Sequence, residues 1–482
     1  MERVSAVSIR ISNVAAPAAR RVKEWLYEIT GGNLLVTVTI ALNVLLVAST
    51  FILIHYFSVD AITSLLYVGV EQCPPGAGTV GFHCFGDYNL GSVLSLPNPW
   101  DYVTQAGPWN YPAASMAPSK IFLWLGNAIG HPKVSTMLYI LLMVIGLTVP
   151  AIWAARGQKP WVRIAVWSMF GFLSIPALMA IDRGNIVGFA VPFMFLAMIS
   201  IARDKPLAAA IGIALASCAK PQFGLAILIF AFLGRWLWLV VCAGIAAIVH
   251  LLPFLLWPQA FPGSILQAFS GMFSFGTYST LESTIPVSVS FTNGAYLLEE
   301  WFIRPFRGSA PSWVEGHQGL VAAVIVLALL AVLFIARHAL PPALTTGLIF
   351  LISALAVPTS FTYYFIAALP LAGIVLRNPS GPATPPEPGQ FRGILELGSA
   401  RRWPERLAAA FLTVTLAATV SRTYLPRLIP DMPYFIFTTA AFVTIMWMIA
   451  IPIYAIIRLH AYRRTGAASE QGSFIRATST VM

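Results

Sequence analysis

The chain has 482 residues, 58% of them hydrophobic and only 10% charged, with a mean hydropathy of +0.78. A soluble fold of that length needs more charge on its surface, so the composition excludes one and indicates an integral membrane protein. The formal net charge of +11 then reflects basic loops held on the cytoplasmic side, and no nucleic acid partner is expected.

Residues 1–33 are polar and basic, with Arg10, Arg20, Arg21 and Lys23 ahead of the first apolar run. They read as a cytoplasmic N-terminal segment, and no cleavable signal peptide is evident. Crossing a hydrocarbon core of about 30 Å takes about 20 residues of helix. Apolar runs that approach this fall near 34–57, 134–155, 160–181, 185–202, 206–219, 221–234, 236–257, 318–337, 340–357, 361–376, 405–423 and 433–458. Several are short, as the halves of broken helices are.

The stretch 112–130, with two prolines and Lys120, fits either a span or a surface helix, and charge parity decides between them. Basic residues before the first run put the N-terminus inside, so 58–133 lies outside. Arg156 and Lys159, in the short loop RGQKP, belong inside. Only an odd number of crossings between the two satisfies both. With 112–130 as an interfacial helix, Arg203, Lys205, Arg235, Arg337, His338, Arg392, Arg401, Arg402, Arg463 and Arg464 all fall inside. The expectation is an all-α polytopic bundle of about 12 transmembrane helices, with an interfacial helix in the first outer loop and both termini cytoplasmic. Residues 377–404 read as a Pro/Gly-rich basic cytoplasmic linker, 405–458 as a C-terminal transmembrane hairpin and 459–482 as a disordered cytoplasmic tail. No internal repeat of the kind that marks many transporters is present.

The outer face so defined collects the unusual polar residues. Its first segment holds Asp87, in FHCFGDYNLG, followed by Tyr88, Trp100, Asp101, Tyr102, Trp109 and Tyr111. Aromatic faces stack on sugar C–H surfaces, and a carboxylate bonds a sugar hydroxyl or takes its proton, which suits Asp87 and Asp101 alike. The same aromatics also belt the membrane interface of any polytopic protein. Cys73 and Cys84 share this segment and could pair as a disulfide if it is extracytoplasmic, whereas Cys218 and Cys242 read as core thiols.

In the DRGN turn, Asp182 and Arg183 either neutralise each other or leave the planar Arg183 guanidinium to face a phosphate, with Asn185 capping the next helix. Lys220 ends an apolar run before Pro221 and either snorkels to the interface or meets a lipid phosphate. His250 lies inside an apolar run, where a satisfied core hydrogen bond accounts for it. Glu282, Asn293, Glu299, Glu300, Arg304 and Arg307 populate the outer 258–317 segment, with no pattern that assigns them to a site. There is no metal-ligand spacing, Walker loop, nucleophile elbow or dinucleotide fingerprint, so no metal or cofactor is expected.

An Asp early in the first outer segment is followed by the Tyr–Pro of WNYPAASMAP, the DRGN turn, Lys220–Pro221 and the Pro-Thr-Ser turn at 358–360 with its aromatics. This order resembles the polyprenyl-phosphate-dependent membrane glycosyltransferases of family 87, GT-C superfamily members related to mannosyltransferases of actinobacterial lipid glycan synthesis. The resemblance covers roughly 34–376 and implies that this region is a GT-C-like catalytic core. It also implies a polyprenyl-phosphate-linked sugar donor, a lipid or glycan acceptor and an inverting transfer at the extracytoplasmic face of the cell membrane, among membrane lipid. On that basis Asp87 is the general base, Arg183 and Lys220 bind the donor phosphate, and Tyr88, Asp101, Tyr111, Asn185, Tyr363 and Tyr364 face sugar or acceptor. Two departures leave mannose and arabinofuranose both open as the donor sugar. The helix turn of the family usually reads Gly-Gln-x-Asn rather than Asp-Arg-Gly-Asn, and many members carry His where Thr362, Tyr363 and Tyr364 stand. The alternative is a transporter or lipid flippase for an envelope precursor, its pathway lined by Asp182, Arg183, Lys220 and His250. A non-catalytic scaffold for envelope assembly is a third.

Overall fold

Proline sets where many of the helices begin. Pro132, Pro160, Pro206 and Pro342 each open a helix, at the position where the missing N–H would have no partner in any case. The computed structural model describes residues 34–57, 111–256, 261–274, 288–308, 310–358, 360–377, 403–421 and 439–465. The helices are α1 (Leu34–Phe57), α2 (Ala113–Ala128), α3 (Pro132–Ala154), α4 (Pro160–Phe170), α5 (Ile175–Arg183), α6 (Ala190–Ala202), α7 (Pro206–Ala219) and α8 (Leu228–Phe232). They continue as α9 (Trp236–Leu256), α10 (Gly263–Ser274), α11 (Phe291–Phe302), α12 (Gln318–Ile335), α13 (Pro342–Leu355), α14 (Ala368–Leu376), α15 (Trp403–Val420) and α16 (Thr439–Thr465). Stretches of 3₁₀ helix at Ile186–Phe189, Pro221–Ile227 and Thr362–Ala367 lead into α6, α8 and α14. Among the described residues no strand forms, and one isolated β-bridge joins Ser288 to Phe361.

The protein is thus an all-helical membrane protein. Pro132–Ala154, Trp236–Leu256, Gln318–Ile335 and Phe442–Arg464 are long and apolar enough to cross a membrane, and α4 with α5 makes a fifth if their 54° bend lies within one span. Outward-facing apolar residues, among them Leu237, Val240 and Leu255 on α9 and Leu320, Val324 and Leu327 on α12, form the surface a bilayer would cover. Other helices are shorter. α7 and α13 have 14 residues each, or about 21 Å at 1.5 Å per residue, against about 30 Å of hydrocarbon.

The core is built where α6 packs on α7, α13 and α3, and α7 packs on α9. Between α6 and α7 the backbones nearly touch. A Cβ added at Gly212 would stand 2.8 Å from the Phe193 carbonyl oxygen and 2.9 Å from the Ala197 nitrogen, so this approach requires glycine. Polar side chains find partners inside the bundle, as an environment without water demands. Trp447 Nε1 donates to Thr419 Oγ1 at 2.9 Å, tying α16 to α15. Asn43 Nδ2 donates to Ser421 Oγ at 3.1 Å, tying α1 to the end of α15.

Basic turns interlock away from these contacts. Arg235 pairs with Asp204 at 2.5 Å. Arg377 Nη1 donates to the Trp153 and Arg156 carbonyls, each at 3.1 Å.

Helix α15 packs on α16. The last helix, however, runs to Thr465, past the boundary at 458 expected from the apolar pattern. Arg458 ends the apolar run, but Arg463 and Arg464 fall in the last turn of the helix, where they complement its macrodipole. Residues 1–33, 378–402 and 466–482 lie outside the described residues.

Candidate functional site

Helix α5 stops at the DRGN turn because Gly184 adopts φ +60°, a left-handed conformation that costs glycine nothing. The Asn185 N–H then bonds the Ala180 carbonyl at 2.8 Å. Asn185 Oδ1 accepts from the Val187 N–H at 2.9 Å, capping the 3₁₀ turn that follows. Its other end, Nδ2, donates to the Tyr111 hydroxyl at 2.7 Å. The turn is braced from α3, where the Tyr139 hydroxyl donates to the Gly184 carbonyl at 3.1 Å.

Lys220 owes its place to Pro221, because the residue before a proline is driven out of the helical region. It is extended (φ −151°, ψ 130°) and closes α7. Its side chain is only 1% exposed, so it does not snorkel. The ammonium instead lies 3.2 Å from the centre of the Tyr111 ring and 5.8 Å from that of Tyr364. A desolvated cation–π contact is worth about 2 kcal/mol, which offsets part of the cost of burying the cation.

Tyr364 belongs to a wall of three rings. Phe361 stacks on Tyr363 at 5.7 Å and Tyr363 on Tyr364 at 4.9 Å, while Phe223 meets Tyr364 edge-on at 6.5 Å. The Arg183 guanidinium lies 5.7 Å from the Phe361 ring and 5.8 Å from the Tyr363 ring. Two cations therefore border one aromatic wall, Arg183 beside Phe361 and Tyr363, Lys220 beside Tyr364.

The wall is held from behind. The Val289 N–H donates to the Ser360 carbonyl at 2.6 Å, beside the Ser288–Phe361 bridge. Ser360 Oγ donates to the Ala354 and Val357 carbonyls at 2.8 and 2.9 Å. Asn293 Nδ2 donates to the Ser288 carbonyl at 2.7 Å, and Thr444 Oγ1 to the Val289 carbonyl at 2.8 Å.

Of the residues expected from sequence, Tyr111, Arg183, Asn185, Lys220, Tyr363 and Tyr364 come together here. Asp87, Tyr88, Asp101, Cys73, Cys84 and Glu282 lie outside the described residues. His250 Nε2 stands 3.1 Å from Ser217 Oγ, a core hydrogen bond between α9 and α7. Glu299 is a fastener for another loop: it accepts from Ser312 Oγ at 2.7 Å and from the Trp313 and Val314 N–H groups, both at 2.9 Å. Glu300 pairs with Arg304 at 2.9 Å. Among the described residues no three His, Cys, Asp or Glu side chains gather as metal ligands would.

Phe223 and Ser288 belong to the site or its backing and were not expected, whereas Ser360 and Phe361 fall in the Pro-Thr-Ser turn and its aromatics. The serines of the run VSVSFTN (287–293) are the one local hint, since serine before a helix signals a cap. Ser290 Oγ does accept from the Asn293 N–H at 3.0 Å.

Chemically, a guanidinium and a buried ammonium receive an anion with delocalised charge, a phosphate above all. The rings and hydroxyls between them suit a sugar. No protein-family model matches the chain, and no curated protein matches it.

Proposed function

We propose that this protein is an integral membrane glycosyltransferase that moves a sugar from a polyprenyl-phosphate donor to a lipid or glycan acceptor at the extracytoplasmic face. The observation that carries the reading is the pairing of Arg183 and Lys220 with one wall of Phe361, Tyr363 and Tyr364. The motif order described above supplies the family, the donor class and the role of Asp87.

In the reaction, the acceptor oxygen attacks the anomeric carbon while Asp87 takes its proton. The bond from that carbon to the phosphate oxygen breaks, with inversion. A phosphodiester of one negative charge becomes a phosphate monoester approaching two, and Arg183 and Lys220 are the groups that would stabilise the charge as it develops.

Twelve crossings and an interfacial α2 form part of the proposal. The head of α2 and the early part of α3 meet at the DRGN turn. Tyr111, at its head, bonds Asn185, and its tail turns within residues 129–131 into α3, whose Tyr139 bonds the neighbouring Gly184 carbonyl. The shortness of α7 favours a site sunk below the headgroups, where a lipid-linked phosphate arrives from the side. A transporter would collect polar groups along a path through the midplane, whereas these cations stand at helix ends. Mass spectrometry of envelope lipids and glycans after deletion of the gene tests the reading: loss of one sugar from one glycolipid or glycan is expected, and an unchanged profile contradicts it.

A further inference from the structure

Around the end of α11 the usual polarity is reversed. Glu299 and Glu300 are buried, whereas Phe302, Ile303, Phe306 and Trp313 are exposed, Phe306 to 90%. A connection between helices that lay in water would show the opposite. An apolar cluster left open in this way marks a surface that something covers.

The height of the cluster says what covers it. Helix α11 runs alongside α16: a Cβ added at Gly294 would stand 3.3 Å from Met448 Sδ. Further along, Leu297 clusters with Ile445, and the Trp301 ring centre lies 4.9 Å from that of Phe442. Residues 294 to 301 thus climb from Met448 to Phe442. The apolar span of α16, Phe442–Arg464, has 23 residues, or about 34 Å at 1.5 Å per residue, against about 30 Å of hydrocarbon. With Arg463 and Arg464 at one interface, Phe442 stands at the other. Trp301 is therefore level with the membrane boundary, and residues 302–306 follow it directly. Glu299 brings Trp313 to the same level, by accepting from its N–H at 2.9 Å. This is the end of the bundle that holds the aromatic wall, since Thr444 Oγ1 bonds the Val289 carbonyl behind it.

We infer that residues 302–306, with Trp313, are an anchor that dips into the lipid leaflet at the end of the bundle where the site lies. Phe302, Ile303 and Phe306 enter the boundary between headgroups and acyl chains. Arg304, exposed and paired with Glu300 at 2.9 Å, stands at the headgroup phosphates. Aromatic rings beside a half-exposed arginine match the membrane interface in composition, and an apolar face sinks there by about 5–10 Å. The partner is thus a lipid surface, and the inference rests on the membrane-spanning helices rather than on the donor chemistry. Asn293, at the other end of α11, bonds the Ser288 carbonyl behind the wall, so the anchor also sets the depth of the wall.

The test is a spin label at Phe306→Cys in the full-length protein, in nanodiscs of phosphatidylcholine and phosphatidylglycerol. The parent chain, treated alike, supplies the background from native cysteines. Power-saturation EPR compares relaxation by oxygen, which concentrates in the bilayer, with relaxation by a nickel chelate, which stays in water. Oxygen is expected to dominate at Phe306→Cys, and the chelate at Lys159→Cys in its exposed basic turn. Dominance of the chelate at Phe306→Cys would put the segment in water and overturn the inference. A label shielded from both reagents would mean that protein, such as a second copy of this chain, covers the patch, which overturns it equally. Should Phe306→Cys aggregate, Phe302→Cys takes its place with the same outcomes.

Discussion

The Lys220 ammonium rests 3.2 Å from the centre of the Tyr111 ring, although one residue ends α7 and the other precedes α2. That contact joins the segment ahead of α2 to the C-terminal end of α7. With Arg183 beside Phe361 and Tyr363, it defines where an anion would be received.

Replacing either cation separates donor from acceptor. Arg183→Ala and Lys220→Ala are each expected to raise the KM for the polyprenyl-phosphate donor about tenfold or more, the scale of a lost charge-assisted bond of about 1.5–3 kcal/mol. The acceptor KM should hold. Steady-state kinetics in detergent or nanodiscs, varying each substrate in turn, decides; equal effects on both substrates contradict a phosphate contact.

The residues of this site are legible in the sequence to different degrees. Arg183, Asn185 and Lys220 stand out because a charge or amide at the edge of an apolar run is costly and asks for a reason. Helix starts are legible at Pro160, Pro206 and Pro342 for the steric reason given above. What cannot be read is pairing between segments: no periodicity links Tyr111 to Lys220, or Ser288 to Phe361. Lys220 could equally have snorkelled, and only the packing of α2 against α7 and α9 puts a ring beneath it. The end of α16 falls beyond the expected boundary because the polar residues from Arg458 onward look like the start of a tail to a hydropathy pattern, yet Arg463 and Arg464 suit a helix C-terminus.

Gly184→Ala tests the turn that places Asn185. A left-handed conformation costs a residue with a Cβ about 1–2 kcal/mol, and Gly184 has φ +60°. A lower Tm and a raised donor KM are expected together. An unchanged Tm would mean that the turn relaxes without cost.

Glu299 offers the contrast. Glu299→Ala removes the acceptor of three hydrogen bonds from residues 312–314, with an expected loss of about 2 kcal/mol or more. Thermal unfolding should show the lower stability while donor affinity stays at the wild-type value. A change in donor affinity would place this loop in the site.

Sidedness is open to labelling. Asn127, near the turn from α2 to α3, and Lys159, before α4, are both exposed and should lie on opposite sides of the membrane. In intact cells, Asn127→Cys is expected to gain reaction with an impermeant maleimide over the parent chain, and Lys159→Cys is not. The reverse pattern, or labelling of both, contradicts an α2 that lies along the outer surface.

The most direct measurement is turnover of polyprenyl-phosphate mannose and polyprenyl-phosphate arabinofuranose by the purified protein with membrane-derived acceptor, compared with Asp87→Asn. The account predicts acceptor-dependent release of polyprenyl phosphate from one of the two donors, and its loss in Asp87→Asn at unchanged expression. Release undiminished in Asp87→Asn would contradict the base, and movement of a lipid across the bilayer with neither donor consumed would contradict the transferase itself.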